Sequence, residues 1–293
     1  TLYGSATMAG AIRYIPNRPN ADDWSATFSG KVYDVAHASD PGFSFNGTVN
    51  IPIVPGKIAL RSTAGYYNDP GFIDYNYLVK TPGVSLAQPN QPATSWSDPV
   101  GSAQQIADNL YSYKDANSEL TYTTRNQLGL FPFEGMNVYL TYAYQQTKSN
   151  GRQANGGGVM GTGKYEAPWR FLEPSNRKSH LISAEVELEL GKIAQLVSST
   201  AYSKRTIKSH TDVTDLLLDL DYDYELFPSF AGRTNSDVSY RQFTQEVRLV
   251  STHGGPLSWV LGGFYNKLKY ASDYQEILPG YANWAGVYRP DDL

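Results

Sequence analysis

The chain has 293 residues, a formal net charge of −4 and no cysteine. Its charges form no basic stripe, so the composition excludes nucleic acid as an expected partner. No run approaches the eighteen apolar residues of a membrane-spanning helix, and mean hydropathy is −0.42. The 23 tyrosines fit a membrane–water boundary, because each ring is apolar and its tip is polar.

Segments in which apolar and polar residues alternate recur along the whole chain, and this period of two predicts β-strands. The clearest segment is 181–190, where Ile182 and Leu188 share one face and Glu185 and Glu187 share the other. The predicted strands are 24–35, 42–53, 58–69, 117–130, 137–147, 179–190, 194–205, 238–251 and 257–270. The sequence therefore predicts an all-β fold.

The connections between these strands alternate between short and long. The short joints are 54–57, 131–136, 191–193 and 252–256, and the long ones are 70–116, 148–178 and 206–237. In an up-and-down sheet consecutive joints lie at opposite ends, so all the long loops fall at one end. Outer-membrane barrels have this arrangement, whereas long structureless loops are rare in compact domains. We therefore predict an antiparallel, up-and-down transmembrane β-barrel with its apolar stripes toward lipid.

The first nineteen residues, TLYGSATMAGAIRYIPNRP, resemble the closing motif of the plug domain of TonB-dependent outer-membrane receptors. The motif residues are Leu2, Tyr3, Gly4 and Gly10, and Ala9 stands where the family usually has a first glycine. Segment 50–61, NIPIVPGKIALR, resembles the first periplasmic turn of such receptors, and 243–249, FTQEVRL, is also typical of them. The similarity is closest to receptors for iron complexes.

The resemblance implies a plug inside a barrel of 22 strands. Residues 1–20 would be the C-terminal end of the plug domain, and 21–293 about the first nine strands, so the chain is expected to be a fragment. The implied function is active uptake of ferric siderophore complexes across the outer membrane of a Gram-negative bacterium. The implied partners are outer-membrane lipid, a ferric chelate and TonB, which would bind a TonB box missing from this chain.

In this family, extracellular loops and the plug catch the substrate, so aromatic residues and an arginine of the long loops are candidate ligand-binding residues. Arginine would pair with anionic groups of a chelate, and rings would stack on its flat portions. Ordinary loop packing is an equally good interpretation for each residue. The candidates are Tyr75, Tyr77, Trp96, Trp169, Arg170, Tyr222 and Tyr224.

Neither an enzyme nor a resident metal or cofactor is predicted. The four histidines are scattered, and neither an HExxH nor a GxSxG motif occurs. The acidic run from Asp212 to Glu225 lacks the glycine and glutamate of an EF-hand, so we interpret it as solvated loop charge. Two alternatives to the receptor stay open: a passive porin, and a soluble β-rich carbohydrate-binding protein.

Overall fold

The computed structural model describes residues 15–82, 108–155, 163–214, 231–252, 257–280, 282 and 286. These residues form a nearly all-β structure, as the alternation predicts. The strands are β1 Ser25–Tyr33, β2 Gly42–Val54, β3 Ile58–Asp69, β4 Asp74–Val79, β5 Leu110–Tyr113, β6 Glu119–Leu130, β7 Met136–Ser149, β8 Glu166–Ala167, β9 Ser175–Leu190, β10 Ala194–Asp212, β11 Arg233–Ser251 and β12 Val260–Ile277.

Nine strands form one antiparallel sheet in the order β1-β2-β3-β6-β7-β9-β10-β11-β12. These are the nine strands that the sequence predicts, and each pairs with its predicted neighbour along the chain. Within the described residues, β1 and β12 are edges and the sheet does not close. The prediction of an antiparallel, up-and-down, all-β architecture is therefore confirmed.

Glycines with positive φ shape the short connections at one end of the sheet. Gly56 follows Pro55 with φ 69°, Gly135 has φ 86° and Gly191 has φ 62°. An L-residue is strained in this left-handed region, whereas glycine is not. The three long connections all leave the opposite end, which we call the loop end.

The strand boundaries near the loop end differ from the prediction. Strand β10 runs to Asp212 and β11 begins at Arg233, so the predicted loop 206–237 is too long. Two other predicted loops contain β4, β5 and β8, which form a separate three-stranded sheet in the order β5-β4-β8. These strands have two to six residues, too few for alternation to stand out.

The two faces of the large sheet differ in chemistry, and the apolar face is exposed. The exposed fractions are 76% for Phe28, 55% for Phe45 and 58% for Ile182. Polar side chains on this face bond to one another: Ser62 Oγ donates to Asn126 Oδ1 at 2.6 Å. The buried apolar residues cluster instead among the loops, around Tyr75. The large sheet thus leaves its apolar face exposed.

Candidate functional site

Residues 15–23 lie on the polar face of the sheet, at its short-turn end. Asn50 of β2 is 1% exposed. Its amide nitrogen donates to the carbonyls of Asn20 at 2.8 Å and Asp23 at 2.7 Å. Its amide oxygen accepts from the backbone N–H of Asn20 at 2.9 Å, and Gly56 N–H donates to the Ala21 carbonyl at 3.0 Å. The segment is therefore fastened to β2 by backbone as well as side-chain groups.

Arg18 attaches the same segment to a second strand, β9, on the polar face of the sheet. Its Nη1 lies 2.9 Å from Glu187 Oε2, and its Nη2 lies 2.7 Å from Glu187 Oε1 and 2.6 Å from Glu185 Oε1. The guanidinium also stands 4.3 Å above the ring of Tyr139 on β7. The hydrogen bonds to Glu187 raise the pKa of Arg18 above its ordinary value. We call this arrangement the Arg18 clamp.

The clamp shows a structural role for two glutamates of β9. The sequence alone predicts only that they lie on the polar face of the strand. Glu185 and Glu187 alternate along β9 with residues of the apolar face, and both accept hydrogen bonds from the guanidinium of Arg18. Bidentate arginine–carboxylate pairs are among the stronger and more directional polar contacts. Arg18 falls within the resemblance of residues 1–19, but the sequence predicts no partner for it.

The candidate ligand residues are divided by the structure. Tyr75, Trp169 and Arg170 are buried, with exposed fractions of 0%, 7% and 1%, whereas Tyr77 is half-buried. The other candidates and the plug-motif residues lie outside the described residues: Trp96, Tyr222 and Tyr224, and Leu2, Tyr3, Gly4 and Gly10. Among the described candidates, Tyr77 is the one whose side chain is partly open to solvent.

The buried candidates belong to a charged network that the sequence does not reveal. Tyr75 Oη donates to Glu173 Oε2 at 2.9 Å, and Arg152 Nε donates to the same oxygen at 2.7 Å. The Asp212 N–H donates to Glu173 Oε1 at 2.8 Å. The Arg152 guanidinium also lies 4.2 Å above the ring of Trp169. Glu173 therefore joins two long loops to the end of β10.

Asp212 closes this network at the loop end. Its Oδ2 accepts from the N–H groups of Arg170 at 2.5 Å and Phe171 at 2.8 Å, and its Oδ1 accepts from Thr214 at 2.9 Å. Burial raises the pKa of Asp212 to about 6, against the opposing effect of these hydrogen bonds. The interpretation of the acidic run as solvated charge is wrong at Asp212, which is 1% exposed; Asp215 and the rest of the run lie outside the described residues.

Arg170 is buried beside this carboxylate in the loops. Its Nη1 donates to the Tyr77 carbonyl at 3.3 Å, and its guanidinium stands 5.4 Å above the Tyr77 ring. Burial lowers the pKa of Arg170 to about 10, although Asp212 opposes this shift. Arg170 therefore holds Tyr77 in place, so that the loop core, meaning the residues packed around Tyr75, Glu173 and Asp212, positions the more exposed ring.

The part of the chain that the structure describes contains no cluster of three His, Asp or Glu residues that could hold a metal ion. None of its helices is long and apolar enough to cross a membrane. No protein-family model matches the sequence, and no curated protein matches it. The arrangement consists of a two-faced sheet, a clamped N-terminal segment and a tightly bonded loop core. This arrangement can hold residues 15–23 against the sheet and can keep the loops in fixed positions.

Proposed function

We propose that this chain forms part of the wall of an outer-membrane β-barrel and acts in TonB-dependent uptake of ferric siderophore complexes. One observation carries the membrane assignment. The apolar face of the nine-stranded sheet is exposed, while residues 15–23 lie bound to the opposite, polar face. A barrel wall has this polarity, with lipid outside and a filled aqueous lumen inside.

The exposed apolar face argues against the soluble alternative. Contiguous exposed apolar surfaces larger than a few hundred Å² are rare on soluble monomers, and large rings such as Phe28, Phe45 and Phe243 are exposed on different strands here. Within the apolar band, the polar side chains of Ser62 and Asn126 bond to each other across neighbouring strands. Such pairing is required where no water is available. Contact with hydrocarbon accounts for both features.

Strand length fits a bilayer. From Leu190 at the short-turn end of β9 to His180 there are ten residue steps. At about 3.3 Å per residue and a tilt of about 40°, these steps rise roughly 25 Å, the height of the apolar band of an outer-membrane barrel. Strands β9 and β10 continue beyond this height, as expected of strands that carry loops above the membrane.

The Arg18 clamp favours a plugged receptor over a passive porin. In a plugged barrel, polar residues of the wall hold the plug through hydrogen bonds and ion pairs. Arg18 contacts two glutamates of β9, and Asn50 of β2 secures the residues that follow. An open diffusion channel would have no need for a chain segment fixed in this position.

The substrate class depends on the resemblance of residues 1–19 and 243–249 to iron-complex receptors. The loop core supports a binding role, since hydrogen bonds to Glu173 and Asp212 fix the loops. Tyr77, held by the buried Arg170, is the described aromatic candidate best exposed for stacking on a chelate. Partners would then be outer-membrane lipid, TonB and a ferric chelate.

Spin labelling tests the membrane assignment directly. The sequence has no cysteine, so single cysteines can be placed at Val186 and Leu188 on the apolar face, with Ser183 and Glu189 as matched positions on the polar face. In membranes that contain the whole protein, we expect labels at the first pair to be quenched by oxygen and those at the second by a water-soluble nickel chelate. The opposite pattern would refute the proposal.

Uptake measurements separate the receptor from the porin. Cells expressing the whole protein should accumulate radioactive iron supplied as a ferric siderophore, and collapse of the proton gradient should abolish this accumulation. A porin would let small solutes equilibrate with or without the gradient. Uptake that is insensitive to the gradient would leave the wall assignment standing and reject active transport.

A further inference from the structure

Strand register places basic residues side by side on the apolar face near the loop end. His180 of β9 pairs with Lys204 of β10, Lys204 with Arg241 of β11, and Arg241 with Lys269 of β12. Directly paired residues have their Cβ atoms about 5 Å apart and lie on the same face. We call Lys204, Arg241 and Lys269 the cationic row.

On β9, β10 and β11, the cationic row lies at the height where the apolar band ends. Two residues toward the short turns, the corresponding positions on the same face are Ile182 on β9, Tyr202 on β10 and Phe243 on β11, whereas β12 has a further cation there, Lys267. Two residues toward the loops, Lys178 pairs with Thr206. The row is therefore at the height expected for lipid headgroups on the side of the membrane that the long loops face.

The charges of the row are not balanced within the sheet. Among the described residues, Lys208 pairs with Asp237 at 2.9 Å, but no ion pair involves Lys204, Arg241 or Lys269. Like charges directly opposite each other on a sheet are destabilising. An anion seated between them would remove this repulsion and add charge-assisted hydrogen bonds.

An apolar groove lies directly beside the row. It has a volume of about 500 Å³ and is lined on several strands by Leu128, Leu140, Tyr142, Ile182 and Tyr202. Ile182 and Tyr202 stand two residues from His180 and Lys204, respectively, on the same face of their strands. A groove for hydrocarbon next to positive charge matches the two ends of an anionic lipid.

We propose that this surface is a specific site for a phosphate-bearing lipid of the outer leaflet, with its phosphates on the cationic row and an acyl chain in the groove. The site rests on the proposed function, because it requires the apolar face to contact the membrane. It adds a lipid ligand that is separate from the transported substrate. The bound lipid neutralises the row and shields the β10–β12 wall.

The test is lipid binding by the whole protein in a zwitterionic detergent, followed by native mass spectrometry. The probe is lipid A, whose headgroup carries two phosphates. Phosphatidylcholine, whose single phosphate is balanced by its own choline cation, serves as the comparison with zero net charge. Each cation near an anionic lipid surface strengthens binding about fivefold. The double variant K204Q/R241Q should therefore bind lipid A about thirtyfold more weakly than the parent protein, with little change for phosphatidylcholine.

The matched control is R177Q/R205Q, which removes the same charge from neighbouring positions on the polar face. It should bind lipid A within about twofold of the parent. The charge-conserving variant K204R/R241K should also keep its affinity, which separates lost charge from lost structure. Filling the groove with Ala184→Trp, at a position that lines it, should weaken lipid A binding while leaving the cations in place.

Three results would overturn the proposal. They are unchanged lipid A binding by K204Q/R241Q, an equal loss in R177Q/R205Q, and displacement of lipid A by inorganic phosphate at millimolar concentration, which would indicate a site for free anions. If spin labels at Val186 are exposed to lipid but lipid binding is unselective, this site fails while the membrane assignment survives. If those labels are exposed to water, the proposed function itself fails.

Discussion

The nine-stranded sheet, called the wall below, and the loop core distribute their side chains in opposite ways. In the wall, large apolar residues such as Phe45 and Ile182 are exposed, and polar residues bond to one another on the other face, as Gln127 does with Thr141. In the loop core, Tyr75 and Leu78 are fully buried together with the charged Glu173 and Asp212. The difference agrees with the proposed function, in which the wall contacts hydrocarbon and the loops lie in water.

A charge on the apolar face should give the largest effect. Lysine in place of Val186, near the middle of the apolar band, should cost about 2–4 kcal/mol of folding free energy in lipid vesicles. Lysine in place of Ser183, on the polar face of the same strand, should cost much less. Urea unfolding in vesicles measures both variants, and equal costs would remove the distinction between the two faces.

Breaking the loop network should cost somewhat less and act elsewhere. Glu173→Gln removes the partner of Arg152 in a buried setting, where loss of one ion is strongly destabilising. Because Arg152 keeps about a third of its side chain exposed, we expect a loss of roughly 2–3 kcal/mol, below the full cost of breaking a buried pair. Hydrogen exchange should accelerate in the segments around Tyr75 and Arg170 but not in the wall.

The control for this change is Asp237→Asn, which breaks the exposed ion pair with Lys208. Exposed pairs contribute little to stability, so loop exchange should stay as in the parent protein. If hydrogen exchange in the Glu173→Gln variant is faster throughout the nine-stranded sheet, the wall and the loop core unfold as one unit. That result would remove the contrast between them.

The loop core should also respond to pH through Asp212, which is the last residue of β10, at the loop end of the sheet and ten residues beyond Tyr202 of the apolar face. Its folded pKa of about 6 is raised above the ordinary value of 3.8, so the folded state takes up a proton more readily than the unfolded state. Its stabilising contribution is full below about pH 4 and is lost as pH rises through 6, by about 2–3 kcal/mol.

Amide exchange of Arg170 and Phe171, which bond to this carboxylate, measures the change after correction for intrinsic rates. Protection should fall between about pH 4 and 7 in the parent protein. The variant Asp212→Asn should start from lower protection, because one acceptor oxygen becomes a donor, and should show no such slope. A slope that persists in the variant would assign the titration to another group.

A turn glycine should give the smallest effect. Gly56 has φ 69° and open space where a Cβ would lie, so alanine there adds backbone strain alone, about 1 kcal/mol. Gly263 also has open space but no positive φ, and alanine there should be close to neutral. Thermal unfolding of the two variants separates turn strain from mere added volume.

Sequence periodicity is sufficient to predict the wall because each of its strands is long and has one apolar face. A run such as 181–190 repeats its pattern five times, and Pro55-Gly56 marks a turn on its own. The same reasoning fails for β4, β5 and β8, because strands of two to six residues show too few repeats. It also ends β10 too early, since polar residues above the apolar band no longer alternate.

The contacts of the candidate site are beyond sequence reasoning for a different reason. Arg18 and Glu187 are 169 residues apart, and Tyr75 and Glu173 are 98 apart. No local spacing marks such pairs, because the fold alone brings them together. Aromatic residues of the loops are a reasonable signal for binding, yet Tyr75 and Trp169 are used for packing, and burial cannot be read from residue type.

The Arg18 clamp has a mechanical consequence. Tension applied to the chain before Ile15 would reach the guanidinium first and the amide of Asn50 second, since Arg18 precedes Asn20 in the chain. The segment would then detach from β9 before β2, in two separate ruptures. A pull on this end of the chain would thus detach the segment in steps, while the strands that hold it stay paired.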